Sequence, residues 1–226
     1  MVEIAHHPRV SQRHRILLLD QHPATREGLA AGLEQEREFE LCGETGDVAC
    51  AFPLLAATQP DLVVMEVALR GGSGIDLLRR LRDRYPSIPI LVWSRYRESI
   101  YAERVIRAGA SGFIGKEQPT AAVIDAIRHI LKGKVYLSSE MTEVMLRNAG
   151  GRSQRFSSDP VQSLSDRELE VFRMIGDCRE TQEIAKELHL SLKTVETYRS
   201  RIKTKFGADT SSELLRLAVC WELENG

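Results

Sequence analysis

Ile16-Leu17-Leu18-Leu19-Asp20 is a run of four apolar residues closed by an acid. A continuous apolar run this short suits a strand covered on both faces. The form returns in Leu62-Val63-Val64-Met65-Glu66, and in Ile90-Leu91-Val92-Trp93-Ser94 with a hydroxyl in place of the acid. Residues 39–42 and 112–115 read as two more strands, the last leading to Lys116. Helical spacing fills the gaps at 23–36, 48–58, 75–85, 98–108 and 119–131, with Pro23 suited to a first helical turn. Strict alternation of the two element types predicts an α/β unit, a doubly wound five-stranded parallel sheet. Functional groups in such sheets gather beyond the carboxyl ends of the strands. Asp20, Glu66, Ser94 and Lys116 all stand there, so four polar residues from four strands converge on one pocket.

From 133 to 163 the pattern loosens into a linker: 138–147 suits a helix, and 148–160 is rich in Gly, Ser and Asn. The boundaries are therefore 1–132, 133–163 and 164–226. The last part reads as all-α, with four helices. Ser165 and Glu168 form a capping box before a helix that buries Leu169, Phe172 and Ile175. Thr181 is placed to cap a second helix with Ile184, Ala185 and Leu188 on one face. His189-Leu190-Ser191 breaks the pattern, and Ser191 caps a third. There Leu192, Val195, Ile202 and Phe206 share one side, and Gly207 supplies a left-handed end. Thr210 and Glu213 form another capping box. The final helix carries two apolar stripes, one through Leu214, Leu217, Ala218 and Trp221, the other through Leu215 and Val219.

Charge narrows the function. The 226 residues carry a net charge of −1, with 42% hydrophobic and 28% charged residues, an ordinary balance for a soluble protein. Any affinity for a polyanion must come from a local patch. The third helix of the second part supplies one: Lys193, Arg199, Arg201, Lys203 and Lys205 stand against Glu196 alone. With Thr194, Thr197, Tyr198 and Ser200, these side chains have the chemistry of a major-groove reader, short polar groups for base edges flanked by cations for phosphates. The same face is equally suited to being solvated surface. Glu196 is open to two readings, acceptor from a cytosine amine or partner of Lys193 or Arg199. Cys42, Cys50, Cys178 and Cys220 show neither metal-ligand spacing nor a disulfide framework. No stretch suits a signal peptide or a membrane span, which points to the cytoplasm.

Two sets of residues carry a family resemblance. Leu164-Ser165-Asp166-Arg167-Glu168, with Glu183-Ile184-Ala185, Leu188, Leu190-Ser191 and Lys193-Thr194-Val195, resembles the LuxR-type helix-turn-helix of NarL/FixJ response regulators. Leu19-Asp20-Gln21-His22-Pro23, Pro60-Asp61 through Glu66, Gly71, Ser73-Gly74, Ser94, Ala108 through Phe113 and Lys116 resemble their flavodoxin-like receiver domain. The resemblance implies a transcription regulator rather than an enzyme, with duplex DNA as partner. It also implies a homodimer formed through the last helix around Leu215, Val219 and Cys220, and a sensor kinase or other protein acting on the receiver. Family receivers take a phosphoryl group on an aspartate, assisted by Mg²⁺. Here Glu66 stands at the acceptor position, Gln21 replaces one metal-binding acid, and Arg70 replaces the usual loop proline. The expectation is a degenerate site with weak or absent Mg²⁺ binding, a looser loop after Glu66, no other cofactor or metal, and regulation without phosphorylation. Phe113 matches the aromatic that reports the receiver's state. The alternatives are a conventional phosphorylated regulator, a protein-interaction module with a vestigial DNA helix, and an enzyme using Asp20 as nucleophile, which lacks a glycine-rich phosphate cradle.

Overall fold

The computed structural model describes residues 13–149 and 160–225. Its strands are β1 (His14–Leu19), β2 (Phe39–Thr45), β3 (Leu62–Met65), the short pair β4 (Ala68–Leu69) and β5 (Gly72–Ser73), β6 (Ile90–Ser94) and β7 (Gly112–Gly115). Its helices are α1 (Pro23–Glu34), α2 (Val48–Thr58), α3 (Gly74–Arg84), α4 (Glu98–Arg107), α5 (Thr120–Leu131), α6 (Ser139–Ala149), α7 (Asp166–Gly176), α8 (Thr181–Glu187), α9 (Leu192–Phe206) and α10 (Ser211–Asn225). The main sheet is parallel, in the order β2-β1-β3-β6-β7. The doubly wound sheet and the four-helix second part are as the pattern predicts.

Alternate strand residues serve opposite faces of the sheet. Ile16, Leu18, Leu62, Val64 and Leu91 pack with Leu29 and Leu33 of α1 and Val123, Ile124 and Ile127 of α5. Leu17, Leu19, Val63, Met65 and Val92 pack with α2, α3 and α4. That second cluster does not stop at the sheet's helices. It continues through Val161 and Leu164 into Leu169, Phe172, Ile184, Val195, Ile202, Leu214 and Trp221, so one apolar body joins both parts.

Several details depart from the pattern. β2 extends to Thr45, because Gly43-Glu44-Thr45 keeps pairing with β1 past a register irregularity, and an edge strand tolerates polar residues. The segment after Glu66 closes into the antiparallel β4–β5 hairpin, with Gly71 at φ +77°. The residue before α8 is Glu180, whose N–H donates to Glu183 at 2.9 Å, and Thr181 is the first helical residue rather than the cap. Leu192 is 49% exposed instead of sharing the buried side of α9. Residues 150–159 of the expected linker lie outside the described residues. Among those described, no helix is long and apolar enough to cross a membrane.

Candidate acidic pocket and nucleic-acid interface

β1, β3 and β6 lie side by side, and Asp20, Glu66 and Ser94 at their carboxyl ends are buried. Lys116, one residue beyond β7, reaches across to them. Its ammonium contacts Asp20 Oδ2 and lies 2.9 Å from Glu66 Oε2. Glu66 Oε1 accepts from the Ser94 hydroxyl at 2.6 Å and from the Val67 N–H at 2.7 Å. Glu66 Oε2 also accepts from the Arg95 N–H at 3.2 Å. Asp20 Oδ1 accepts from the His22 N–H at 2.8 Å. All four carboxylate oxygens are thus engaged by groups of the protein itself. Such contacts leave none of the polar carboxylate atoms buried without a hydrogen-bond or ion-pair partner.

Mg²⁺ needs near-octahedral oxygen ligation. The donor set does not fit it: Gln21 brings a neutral side chain, and the Lys116 ammonium already lies against both remaining carboxylates. The loop after Glu66 is also more tightly held than Arg70 in place of proline suggests. Arg70 pairs through its backbone with Gly46 and Val48, and its Nη2 donates to the Gln21 carbonyl at 3.4 Å. Phe113 is 1% exposed within the apolar cluster on the α3–α4 side of the sheet, a core residue in this arrangement.

The pocket borders the second part of the chain through Arg95 and Tyr96, which the sequence does not single out. Tyr96 stacks on Trp221 with centroids 6.3 Å apart. Glu222 Oε1 accepts from Arg95 at 2.7 Å and from the Tyr96 hydroxyl at 3.1 Å. Arg173 donates to the Tyr96 hydroxyl at 3.1 Å, and Arg97 to the Glu224 carbonyl at 2.9 Å. Asp166 pairs with Arg79 and Arg104, and Arg167 with Asp76. Glu187 at the end of α8 accepts the Gly71 N–H at 2.6 Å, and His189 Nε2 in the following turn lies 3.2 Å from the Gly71 carbonyl. Burial pushes the Glu222 carboxyl up and Asp177 adds to it, against the pull of Arg173 and Arg95. Burial likewise raises Glu170, opposed by a Ser73 hydrogen bond and by Arg167 and Arg173.

On α9, Ser191 caps the helix by accepting the Thr194 N–H at 3.1 Å, and Gly207 ends it at φ +64°. Lys193, Thr197, Ser200, Arg201 and Thr204 are exposed, and Thr194 and Lys203 partly so. Lys193, Arg201 and Lys203 form no ion pair with other described residues. Other candidates are placed differently. Glu196 accepts from the Thr181 hydroxyl at 3.1 Å and lies 4.0 Å from Arg199, which braces α9 against α8. Arg199 is one of the two helix partners that the sequence offers for Glu196. Tyr198 is half-buried and packs on the core cluster. Lys205 is turned back to the Ser163 carbonyl at 2.8 Å and to Glu168 at 2.6 Å.

Burial works to raise the Glu168 carboxyl, but Lys205 and Ser165 outweigh it and hold it below the usual range. Lys205→Ala should therefore destabilise the second part by about 1–3 kcal/mol, the cost of under-satisfying a buried acceptor, measured by urea unfolding. The depressed pKa sets the sign with pH. The stabilisation is complete above the ordinary glutamate pKa and is lost as pH falls through the lower folded value, so the gap between wild type and variant should narrow in acid.

Comparison with known proteins resolves both halves. Residues 16–128 match the response regulator receiver domain, and residues 162–218 match the luxR family of bacterial regulatory proteins. The transcriptional activator protein ExaE of Pseudomonas putida is 34% identical over 208 residues, covering 90% of this chain and 95% of the relative. The chain belongs to the LuxR-family response regulators. It is thus a DNA-binding transcription regulator in type. The oxygen regulatory protein NreC of Staphylococcus aureus is 30% identical, over 91% of this chain and 96% of that one. Among solved structures, RcsB of Salmonella enterica serovar Typhimurium bound to the rprA promoter in the presence of BeF₃⁻ shares the fold. Its TM-score is 0.68 at 22% identity, covering 91% of this chain and 98% of that one. Within this response regulator, β1 is followed by Asp20-Gln21 and β3 by Glu66.

Proposed function

We propose that this response regulator binds duplex DNA as a homodimer and does so without aspartyl phosphorylation or bound Mg²⁺. The observation that carries the reading is the closed set of contacts around Glu66: its carboxylate holds Ser94, Arg95 and Lys116, and Lys116 also holds Asp20. Nothing in that set leaves an acid free to act as acceptor. Glu66 thereby imitates a phosphorylated acceptor in part, since a phosphoryl group brings about −1.5 to −2 charge and three acceptor oxygens against one charge and two oxygens.

For DNA, the open side of α9 favours Lys193, Thr194, Thr197, Ser200 and Arg201 at base edges and Lys203 at phosphates, as a recognition helix lies in the major groove. One such helix spans few base pairs, so two copies on half-sites a helical turn apart supply specificity. Leu223 extends the outer stripe of α10 beyond Leu215 and Val219, and at 81% exposure it favours that helix as the pairing face, with Cys220 also exposed. The protein works in the cytoplasm, and a protein contact at the receiver replaces the phosphoryl signal.

Incubation with acetyl phosphate and Mg²⁺ should give no adduct of about 80 Da, the mass of one phosphoryl group, in intact-mass spectrometry. Affinity for selected DNA fragments should be unchanged by that treatment, and Glu66→Gln should lower it several-fold. A stable adduct on an acidic side chain overturns phosphorylation independence, and an unchanged affinity in Glu66→Gln overturns the mimicry.

A further inference from the structure

We propose that Arg95 is a positioning residue that ties the Glu66 pocket to α10, so that the pocket carboxylate and the docked DNA-binding domain stabilise each other. The proposal rests on the reading of Glu66 as a partial imitation of a phosphorylated acceptor. Arg95 leaves β6 directly after Ser94 and faces two ways. Its backbone N–H donates to Glu66 Oε2 at 3.2 Å, while its guanidinium donates to Glu222 Oε1 at 2.7 Å and to the Tyr96 hydroxyl at 2.8 Å. The guanidinium carbon also sits 4.9 Å over the Tyr96 ring. Tyr96 repeats the arrangement one residue later. Its N–H donates to Ser94 Oγ at 3.3 Å, and its hydroxyl meets Glu222 and Arg173.

Two consecutive residues therefore turn their backbones to the pocket and their side chains to α7 and α10. Arg95 thus carries both contacts within one residue, the pocket on its backbone N–H and Glu222 on its guanidinium. The consequence on the α10 side is large, because Glu222 Oε2 is buried without a hydrogen-bond partner among the described residues and Oε1 depends on Arg95 and Tyr96. Coupling of this kind is reciprocal: whatever the pocket charge contributes to docking, docking returns to the pocket. Arg79 offers an internal comparison, since it reaches across the same boundary to Asp166 but bonds nothing in the pocket.

The test measures docking in the full-length protein without DNA, by small-angle X-ray scattering and by hydrogen exchange in α7 and α10. Glu66→Gln should raise the open-to-docked ratio several-fold. Arg95→Ala should raise it at least as far, and adding Glu66→Gln to Arg95→Ala should change it less than twofold further. In an Arg79→Ala background the Glu66→Gln effect should keep its full size, and Arg95→Lys should recover part of the docking. Should Arg95→Ala disturb the receiver's own near-ultraviolet circular dichroism, Glu222→Gln breaks the same link from the other side and should show the same non-additivity. Equal fold-effects of Glu66→Gln in the wild-type and Arg95→Ala (or Glu222→Gln) backgrounds overturn the proposal, as does no effect of Glu66→Gln at all. Neither result bears on DNA affinity or on the phosphodonor experiment, which are read separately.

Discussion

Lys116→Ala should be among the most damaging single substitutions in the receiver. Its ammonium is the cation that meets both Asp20 and Glu66, and each of those residues is only 1% exposed. Removing one partner of a buried ion pair costs about 3–5 kcal/mol, because the remaining charge stays buried without compensation. Here two carboxylates would be left facing each other. Several kcal/mol in a domain of this size corresponds to a drop in melting temperature of more than about 10 °C, measurable by calorimetry. Lys116→Met, similar in length but neutral, should lose nearly as much, and Lys116→Met combined with Glu66→Gln should regain part of it. A melting temperature within two or three degrees of wild type (about 1 kcal/mol or less) would contradict the role of Lys116 as the partner that both acids depend on.

The second large effect belongs to α9. Arg201→Ala and Lys193→Ala should each reduce affinity for a selected DNA site by about 1–3 kcal/mol if they reach base edges, roughly five- to 150-fold. Each should narrow the difference between the selected site and an unrelated duplex. Lys203→Ala should instead weaken all duplexes alike and reduce the salt slope by about one. Glu196→Ala is expected to act through the loss of its Thr181 contact, lowering stability without shifting base preference. Fluorescence anisotropy across a series of salt concentrations separates these outcomes. A double variant lacking Lys193 and Arg201 that binds as tightly as wild type would contradict the assignment of this face to the groove.

The sheet was legible because its strands are short unbroken apolar runs, and because the residue ending each run sits where pockets form in such sheets. Asp20, Glu66, Ser94 and Lys116 could be placed together from that alone. The helix-turn-helix was legible from caps: Ser165, Ser191 and Gly207 act where the chain signals them. What the sequence did not reveal depends on contacts between distant residues. Lys205 looks like one more groove cation until Glu168, 37 positions earlier, claims it. Glu196 looks like a base reader until Thr181 does the same. Arg95, Tyr96, Arg173 and Glu222 carry no motif, and their roles follow from a docking geometry that no local periodicity encodes. The one hint was the Arg95-Tyr96-Arg97 triplet, an aromatic between two cations directly after a buried strand. Leu192 stands exposed at the first position of α9, where the buried residues of that helix begin only at Val195.

The apolar body that runs unbroken from β1 and β3 into α7 and α10 has a consequence for how such a protein can be rebuilt. Splicing its output module onto a foreign sensor would take Tyr96 from Trp221, which keeps Phe172, and expose greasy surface on both fragments. Chimeras cut at the linker should therefore aggregate unless the recipient offers a Tyr96-like plate, and heating the intact chain should give one calorimetric peak rather than two.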